Sequence, residues 1–130
     1  MKVLITGASS GIGRDIAREF AKLKYDIVLV ARNVERMEAL KTELEKEYNV
    51  KVNYHSVDLT NRENCINLYD KEKEIDILVN NAGLGDFGRF TETSLDKEFS
   101  IIDTDITALH ILTKLYLKDM KERNSGIILN

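Results

Sequence analysis

The sequence has little cysteine, little histidine and little excess charge, and it has no tryptophan and no proline at all. Its single cysteine, Cys65, has no partner for an intrachain disulfide, so a reducing compartment fits. His55 has no metal-ligating company nearby, and His110 reads as a packed or partly exposed helix residue, so no metal site is expected. No apolar run approaches the ~20 residues of a membrane span, and no charged-then-apolar leader precedes the first strand. A cytoplasmic chain with an authentic N-terminus and no membrane partner is therefore expected. The formal net charge of −3 lacks the basic surplus of a nucleic-acid binder. Small clusters such as Lys22-Leu23-Lys24 read as solvated helix faces. Repeats and low-complexity segments are also missing, and the absence of proline has no evident physical cause.

What is present is an ordinary globular composition: 130 residues, 43% hydrophobic and 32% charged. A chain of that length buries roughly two-thirds of its surface in one core, so a single domain over residues 1–130 is expected. Its organising stretch is Thr6-Gly7-Ala8-Ser9-Ser10-Gly11-Ile12-Gly13, placed between the apolar run Val3-Leu4-Ile5 and an amphipathic segment. Strand, glycine-rich turn and helix in that order form the context of a dinucleotide-phosphate loop. Gly7 lets the chain turn off the strand, Gly11 lets backbone approach a pyrophosphate, and Gly13 lets the helix pack close to the sheet. Ser9, Ser10 and Ile12 belong to the same candidate phosphate site, where the free N–H groups of the new helix face the ligand.

The spacing T-G-x-x-x-G-x-G resembles that of the short-chain dehydrogenase/reductase family. A second motif, Asn80-Asn81-Ala82-Gly83, follows the apolar strand Ile75 to Val79, as the family's other cofactor-side motif does. Small residues there leave room for a ribose, and the amides can pin neighbouring strands. The resemblance covers the whole chain but matches only the N-terminal, cofactor-binding part of the family pattern. The extended branch that contains sugar-nucleotide epimerases fits less well, because it usually carries T-G-x-x-G-x-x-G.

In chain order, the first strand, Lys2 to Thr6, leads to a helix with Ile12, Ile16, Ala17, Phe20 and Leu23 at helical spacing. The second strand, Asp26 to Ala31, is continuously apolar, as in a parallel sheet covered on both faces. At its end, where an NAD-binding fold carries an acidic residue, stand Arg32 and Asn33. A guanidinium pairs with a 2′-phosphate through two parallel hydrogen bonds, so the expected cofactor is NADP rather than NAD; a solvated Arg32 is the alternative. Asn33 caps the next helix, whose inner face carries Met37, Leu40 and Leu44. The third strand, Lys51 to Val57, alternates as an edge does, and Asp58-Leu59 follows it. The family resemblance implies that Asp58 accepts from the adenine amine; otherwise it is a helix-start charge beside a Thr60/Glu63 capping box. Cys65, Leu68 and Tyr69 then fall on one packed helix face.

The segment Leu84 to Thr93 reads as a loop bordering the substrate region, and a long helix follows from Ser94 to Lys121. Its stripe of Leu95, Phe99, Ile102, Ile106, Leu109, Tyr116 and Met120 exceeds what one sheet face can cover, and the family resemblance implies a homo-oligomer contact there. With a fifth strand from Ile127, an α/β Rossmann-type doubly wound sheet in the order 3-2-1-4-5 is expected, truncated relative to the family fold.

The family's chemistry is hydride transfer between a nicotinamide and a carbonyl or alcohol, using a serine and a Tyr-x-x-x-Lys pair beyond the fifth strand. No catalytic residue of that set is expected in these 130 residues, which should not turn over alone. Tyr69, Lys73 and Ser56 imitate the spacing, but their helix runs away from the cofactor edge. At the position where the family usually has an asparagine that holds a water of the proton relay, this chain has Asp105, after Thr104; it could bind that water or serve polar packing. The expected function is the NADP-binding half of a short-chain oxidoreductase acting on a small carbonyl or alcohol. The alternative is a non-catalytic NADP(H)-binding or regulatory module.

Overall fold

Five strands, β1 (Lys2–Thr6), β2 (Asp26–Ala31), β3 (Val52–Ser56), β4 (Ile77–Val79) and β5 (Ile127–Leu129), lie side by side in the order β3-β2-β1-β4-β5 in the computed structural model, which describes residues 1–130. Every pairing is parallel, so each connection crosses over through a helix. These are α1 (Gly11–Lys22), α2 (Val34–Tyr48), α3 (Arg62–Lys71) and a long last crossover, in which α4 (Leu95–Ile102) passes through a π-helical turn at Asp103–Ala108 into α5 (Leu109–Glu122). The sheet is the expected doubly wound one. No helix is long and apolar enough to cross a membrane.

The unbroken apolar runs are explained by the two covered faces. Alternation sends Val3, Ile5, Ile27 and Leu29 to one side, beneath Ala17 and Ala21 of α1 and Met37, Leu40 and Leu44 of α2. Leu4, Val28, Val30 and Leu78 go to the other, beneath Cys65 and Leu68 of α3 and Leu112, Tyr116 and Met120 of α5. Burying each of the larger side chains contributes about 1.5–3 kcal/mol, so the two layers hold the five strands in one sheet with their carboxyl ends along a common edge. β3 and β5 close the sheet, and Ile127 and Leu129 of β5 stay exposed.

Three expectations are corrected. The fourth strand begins at Ile77, not Ile75, because the Asp76 carboxylate takes the Lys2 N–H at 2.7 Å and replaces a ladder bond at that point. Helix α3 is capped by Asn61, whose Oδ1 accepts from Asn64 N at 3.2 Å; the Thr60 hydroxyl is occupied by Asp58, so the Thr60/Glu63 box does not form. The long helix is not one α-helix with one apolar stripe. The wide turn at Asp103–Ala108 rotates α5 relative to α4, so Thr104, Ala108, Leu112, Tyr116 and Met120 face the sheet while Leu95, Phe99, Ile102 and Ile106 stay exposed.

Candidate functional site

β1 and β4 occupy the point where the strand order reverses, and the carboxyl ends of a parallel sheet open a crevice there. Gly7, Ser9, Ser10, Ile12, Arg32, Asn33, Asp58, Leu59, Asn81, Ala82 and Gly83 all line this one cleft, of about 820 Å³. Gly11 stands at the start of α1 with φ +53, and a Cβ there would meet nothing within 4 Å. Gly13 is buried behind the turn and does not line the cleft. Its hydrogen leaves space for the Gly7 carbonyl and the Asn81 amide, which a side chain would displace.

The floor of the cleft is a hydrogen-bonded knot between β1 and β4. The Thr6 hydroxyl donates to Val79 O at 3.3 Å and accepts from Asn81 N at 3.0 Å and Ala82 N at 2.9 Å. Asn81 Nδ2 donates back to Thr6 O and Gly7 O at 3.0 and 3.2 Å. Asn80 reaches the other way, donating to Thr113 Oγ1 and Asn130 Oδ1, and so ties β4 to α5 and β5. Gly7, at φ +66, takes a conformation that a Cβ would strain, with Ala82 Cα only 2.9 Å from where that Cβ would stand. At the other side of the turn Ser10 begins α1 in extended geometry without a side-chain cap bond. Its hydroxyl and the first N–H groups of α1 therefore remain available, in the arrangement that binds anions.

The far wall is made by the ends of β2 and β3. Asn33 Oδ1 caps α2 by accepting from Arg36 N at 2.9 Å. Asp58 Oδ1 accepts from the Thr60 hydroxyl at 2.7 Å and the Thr60 N–H at 3.0 Å. These bonds hold its carboxyl below the usual carboxylate value, with a smaller contribution from Arg32, so Asp58 is an ionised acceptor. Six further residues, Ala31, Arg36, Val57, Thr60, Leu84 and Thr104, line the cleft beyond those expected from the sequence. Arg36 was legible in principle, one helical turn beyond Arg32; Thr104 was not, because the π-helical turn that presents it has no sequence signature.

Asp105 lies outside the lining and braces the turn: its Oδ1 accepts from Leu84 N at 2.8 Å, tying the π-helical turn to the end of the Asn80–Gly83 motif. Tyr69 and Lys73 are likewise engaged elsewhere. The Tyr69 hydroxyl donates to the Asp119 carboxylate at 2.8 Å, its ring meets Tyr116 edge-on at 5.3 Å, and Lys73 lies over it while pairing with Asp70. Asp119 pushes the Tyr69 hydroxyl up to about 12, opposite to what proton transfer near neutral pH requires. Ser56 donates to Arg32 O. His55 is paired with Glu72 at 2.9 Å and His110 is exposed, while burial pushes the Cys65 thiol up to about 11 and leaves it unreactive.

A family model described as short chain dehydrogenase matches residues 1–130. Among curated proteins, the 3-oxoacyl-[acyl-carrier-protein] reductase FabG of Rickettsia prowazekii is 37% identical over 130 residues, which are 98% of this chain and 51% of that protein. Human 17-beta-hydroxysteroid dehydrogenase type 3 is 37% identical over 133 residues, covering 98% of this chain and 42% of its own. Among solved structures, a short-chain dehydrogenase from Sphingobium yanoikuyae in complex with NADPH superposes with a TM-score of 0.93 at 35% identity, covering 98% of this chain and 51% of that one. The chain thus spans about half the length of the relatives it matches.

Proposed function

The chain belongs to the short chain dehydrogenase family, and from that premise we propose that it is the NADP-binding half of an oxidoreductase that moves hydride between NADP(H) and a carbonyl or alcohol. The observation that carries this reading is the single cleft that joins the uncapped start of α1 to Arg32 across the end of β1. The residues present fit a dinucleotide. Open space at Gly11 admits a pyrophosphate against backbone N–H groups, and Ser9, Ser10 and Ile12 flank it. Arg32 and Asn33 receive the 2′-phosphate, Asp58 and Leu59 the adenine, and Asn81, Ala82 and Gly83 the ribose nearer the nicotinamide. The cofactor, when bound, supplies the hydride; this chain's residues bind and orient it. The NADPH complex of the Sphingobium relative supports that choice of cofactor.

The proton-transferring tyrosine and lysine lie outside these 130 residues in this reading, since the Tyr-x-x-x-Lys they contain, Tyr69 to Lys73, is held by Asp119 toward the amino end of the strands, where Tyr116 and Lys2 meet Glu72. The chain alone then binds cofactor without turnover. Engagement of Tyr69 equally favours a second reading, a non-catalytic NADP(H)-binding module. A cytoplasmic location belongs to either. Calorimetric titration with NADPH and with NADH tests the proposal. NADPH is expected to bind the more tightly, and Arg32→Asp to lose about tenfold or more in that affinity, the loss of a charge-assisted pair. Equal binding of both nucleotides by the wild type would remove the NADP assignment.

Self-association through the helix from Ser94 to Lys121 belongs to the same reading. Leu95, Phe99 and Ile106 are 61%, 53% and 62% exposed on its outer side, and a second copy of this helix is the partner they fit. Light scattering of the folded chain is expected to report a dimer that Phe99→Glu returns to monomer. A monomer at every concentration would rule it out.

A further inference from the structure

We propose that the Asp105 carboxylate, standing behind the wall of the cleft, makes this chain hold the oxidised cofactor, NADP+, more tightly than NADPH. This rests on the NADP reading above and deepens it. The cleft runs from the ends of β2 and β3, past the start of α1, to Asn81, Ala82, Gly83, Leu84 and Thr104. A dinucleotide with its 2′-phosphate at Arg32 and its pyrophosphate on α1 therefore sends its nicotinamide toward this last wall. Asp105 stands directly behind that wall. Its Oδ1 accepts from Leu84 N at 2.8 Å, and both of its oxygens lie 3.7 Å from where a Cβ of Gly83 would stand. Gly83 thus puts no side chain between its own backbone and the carboxylate.

The two ends of the cleft differ in charge. Arg32 and Arg36 outnumber Asp58 at one end, whereas the π-helical turn behind the other carries Asp103 and Asp105 and no cation of its own. Neither aspartate takes part in an ion pair. The oxidised nicotinamide is a pyridinium cation and the reduced ring is neutral. The polarity of the cleft therefore matches the oxidised dinucleotide, which is anionic at its 2′-phosphate and cationic at its ring. The phosphates are the same in both forms, so whatever repulsion Asp105 exerts on them cancels when the two are compared. Attraction between the carboxylate and the ring is what remains, and Asp105 is half-buried, so water screens it only in part. By linkage, a wall that favours the cation biases the bound cofactor toward its oxidised state.

The test is calorimetric titration with NADP+ and with NADPH of the wild type, Asp105→Asn and Asp70→Asn. The amide oxygen of Asp105→Asn still accepts from Leu84 N, so the brace stays while the charge goes, and urea midpoints establish that the fold is intact. Asp70→Asn makes the same change in net charge on the exposed face of α3, where Asp70 meets only Lys73. The wild type is expected to bind NADP+ the more tightly. Asp105→Asn is expected to lose about fivefold in NADP+ affinity while NADPH stays within about twofold, and Asp70→Asn to leave the ratio of the two affinities as it is. The same ratio in wild type and Asp105→Asn, whether both affinities hold or both fall together, would make Asp105 a brace only and overturn the inference while the NADP reading stands. A wild type that binds neither form would overturn both.

Discussion

Gly13→Ala is expected to lower the stability of the chain by about 2 kcal/mol, a typical overpacking cost, and to weaken nucleotide binding with it. One methyl group is responsible. A Cβ at Gly13 would collide with the Gly7 carbonyl oxygen and with Asn81 Nδ2, and would stand 2.9 Å from the Gly7 carbonyl carbon. Two of those three atoms are backbone in the turn that forms the cleft, and the third holds β4 to that turn through Thr6 and Gly7. None can yield cheaply. Alanine's better helix propensity recovers at most about 1 kcal/mol, less in a first turn than in a helix interior. The collision therefore wins, and its relief must come from moving α1 away from the sheet. Gly85→Ala is the control, because a Cβ there meets nothing within 4 Å and needs no positive φ. Urea midpoints and NADPH affinities of the two variants should separate clearly; a Gly13→Ala protein that matched the wild type in both would mean that the helix has slack where the structure shows none.

The same contact explains why so much of the site is legible without coordinates. Gly13, Gly7 and Asn81 meet because a strand, a tight turn and a helix leave only that much room, and the order of those elements is written in a run of eight residues. Arg32 is legible for a related reason: the residue that follows the apolar strand after a glycine turn stands at the carboxyl edge of the sheet, beside the cleft. Legibility fails where two local signals compete or where none exists. Thr60 and Asn61 are both good cap formers, and only Asp58, by taking the Thr60 hydroxyl, gives the cap to Asn61. The π-helical turn is silent in sequence, yet it decides which half of the long apolar stripe meets the sheet and brings Thr104 to the cleft. Asp105 shows the limit from the other side. Its position in a motif left a relay water and polar packing both open, and its bond to Leu84 N, which makes it a brace for the loop, comes only from the structure.

Thr6→Val is expected to cost about 1–3 kcal/mol, because removing one hydroxyl leaves the Ala82 N–H without a partner and weakens the bonding of Asn81 N and Val79 O. The side chain is 2% exposed, so water cannot replace it. Its oxygen takes the N–H groups of Asn81 and Ala82 and its proton goes to Val79 O; Asn81 N–H also reaches Val79 O at 3.1 Å, so the Ala82 N–H is the group that depends on this one atom of β1. Valine keeps the shape and has, if anything, the better strand propensity, which makes the loss attributable to the hydrogen bonds. Thr6→Ser keeps the hydroxyl and gives up only a methyl, an expected cost of about 1 kcal/mol. The order wild type, serine, valine in urea midpoint, with unchanged denaturant slope, is the result that supports this account. Valine as stable as serine would show that the freed N–H groups find other partners. Function should follow in the same order, since the bonds that end β4 also aim Ala82 and Gly83 into the cleft. Ile5 pairs with Val79 in the ladder, one residue before this knot, so a slip of one place would carry the hydroxyl to the wrong face. Thr6 therefore links register to binding: the cleft is complete only when β1 and β4 are correctly paired.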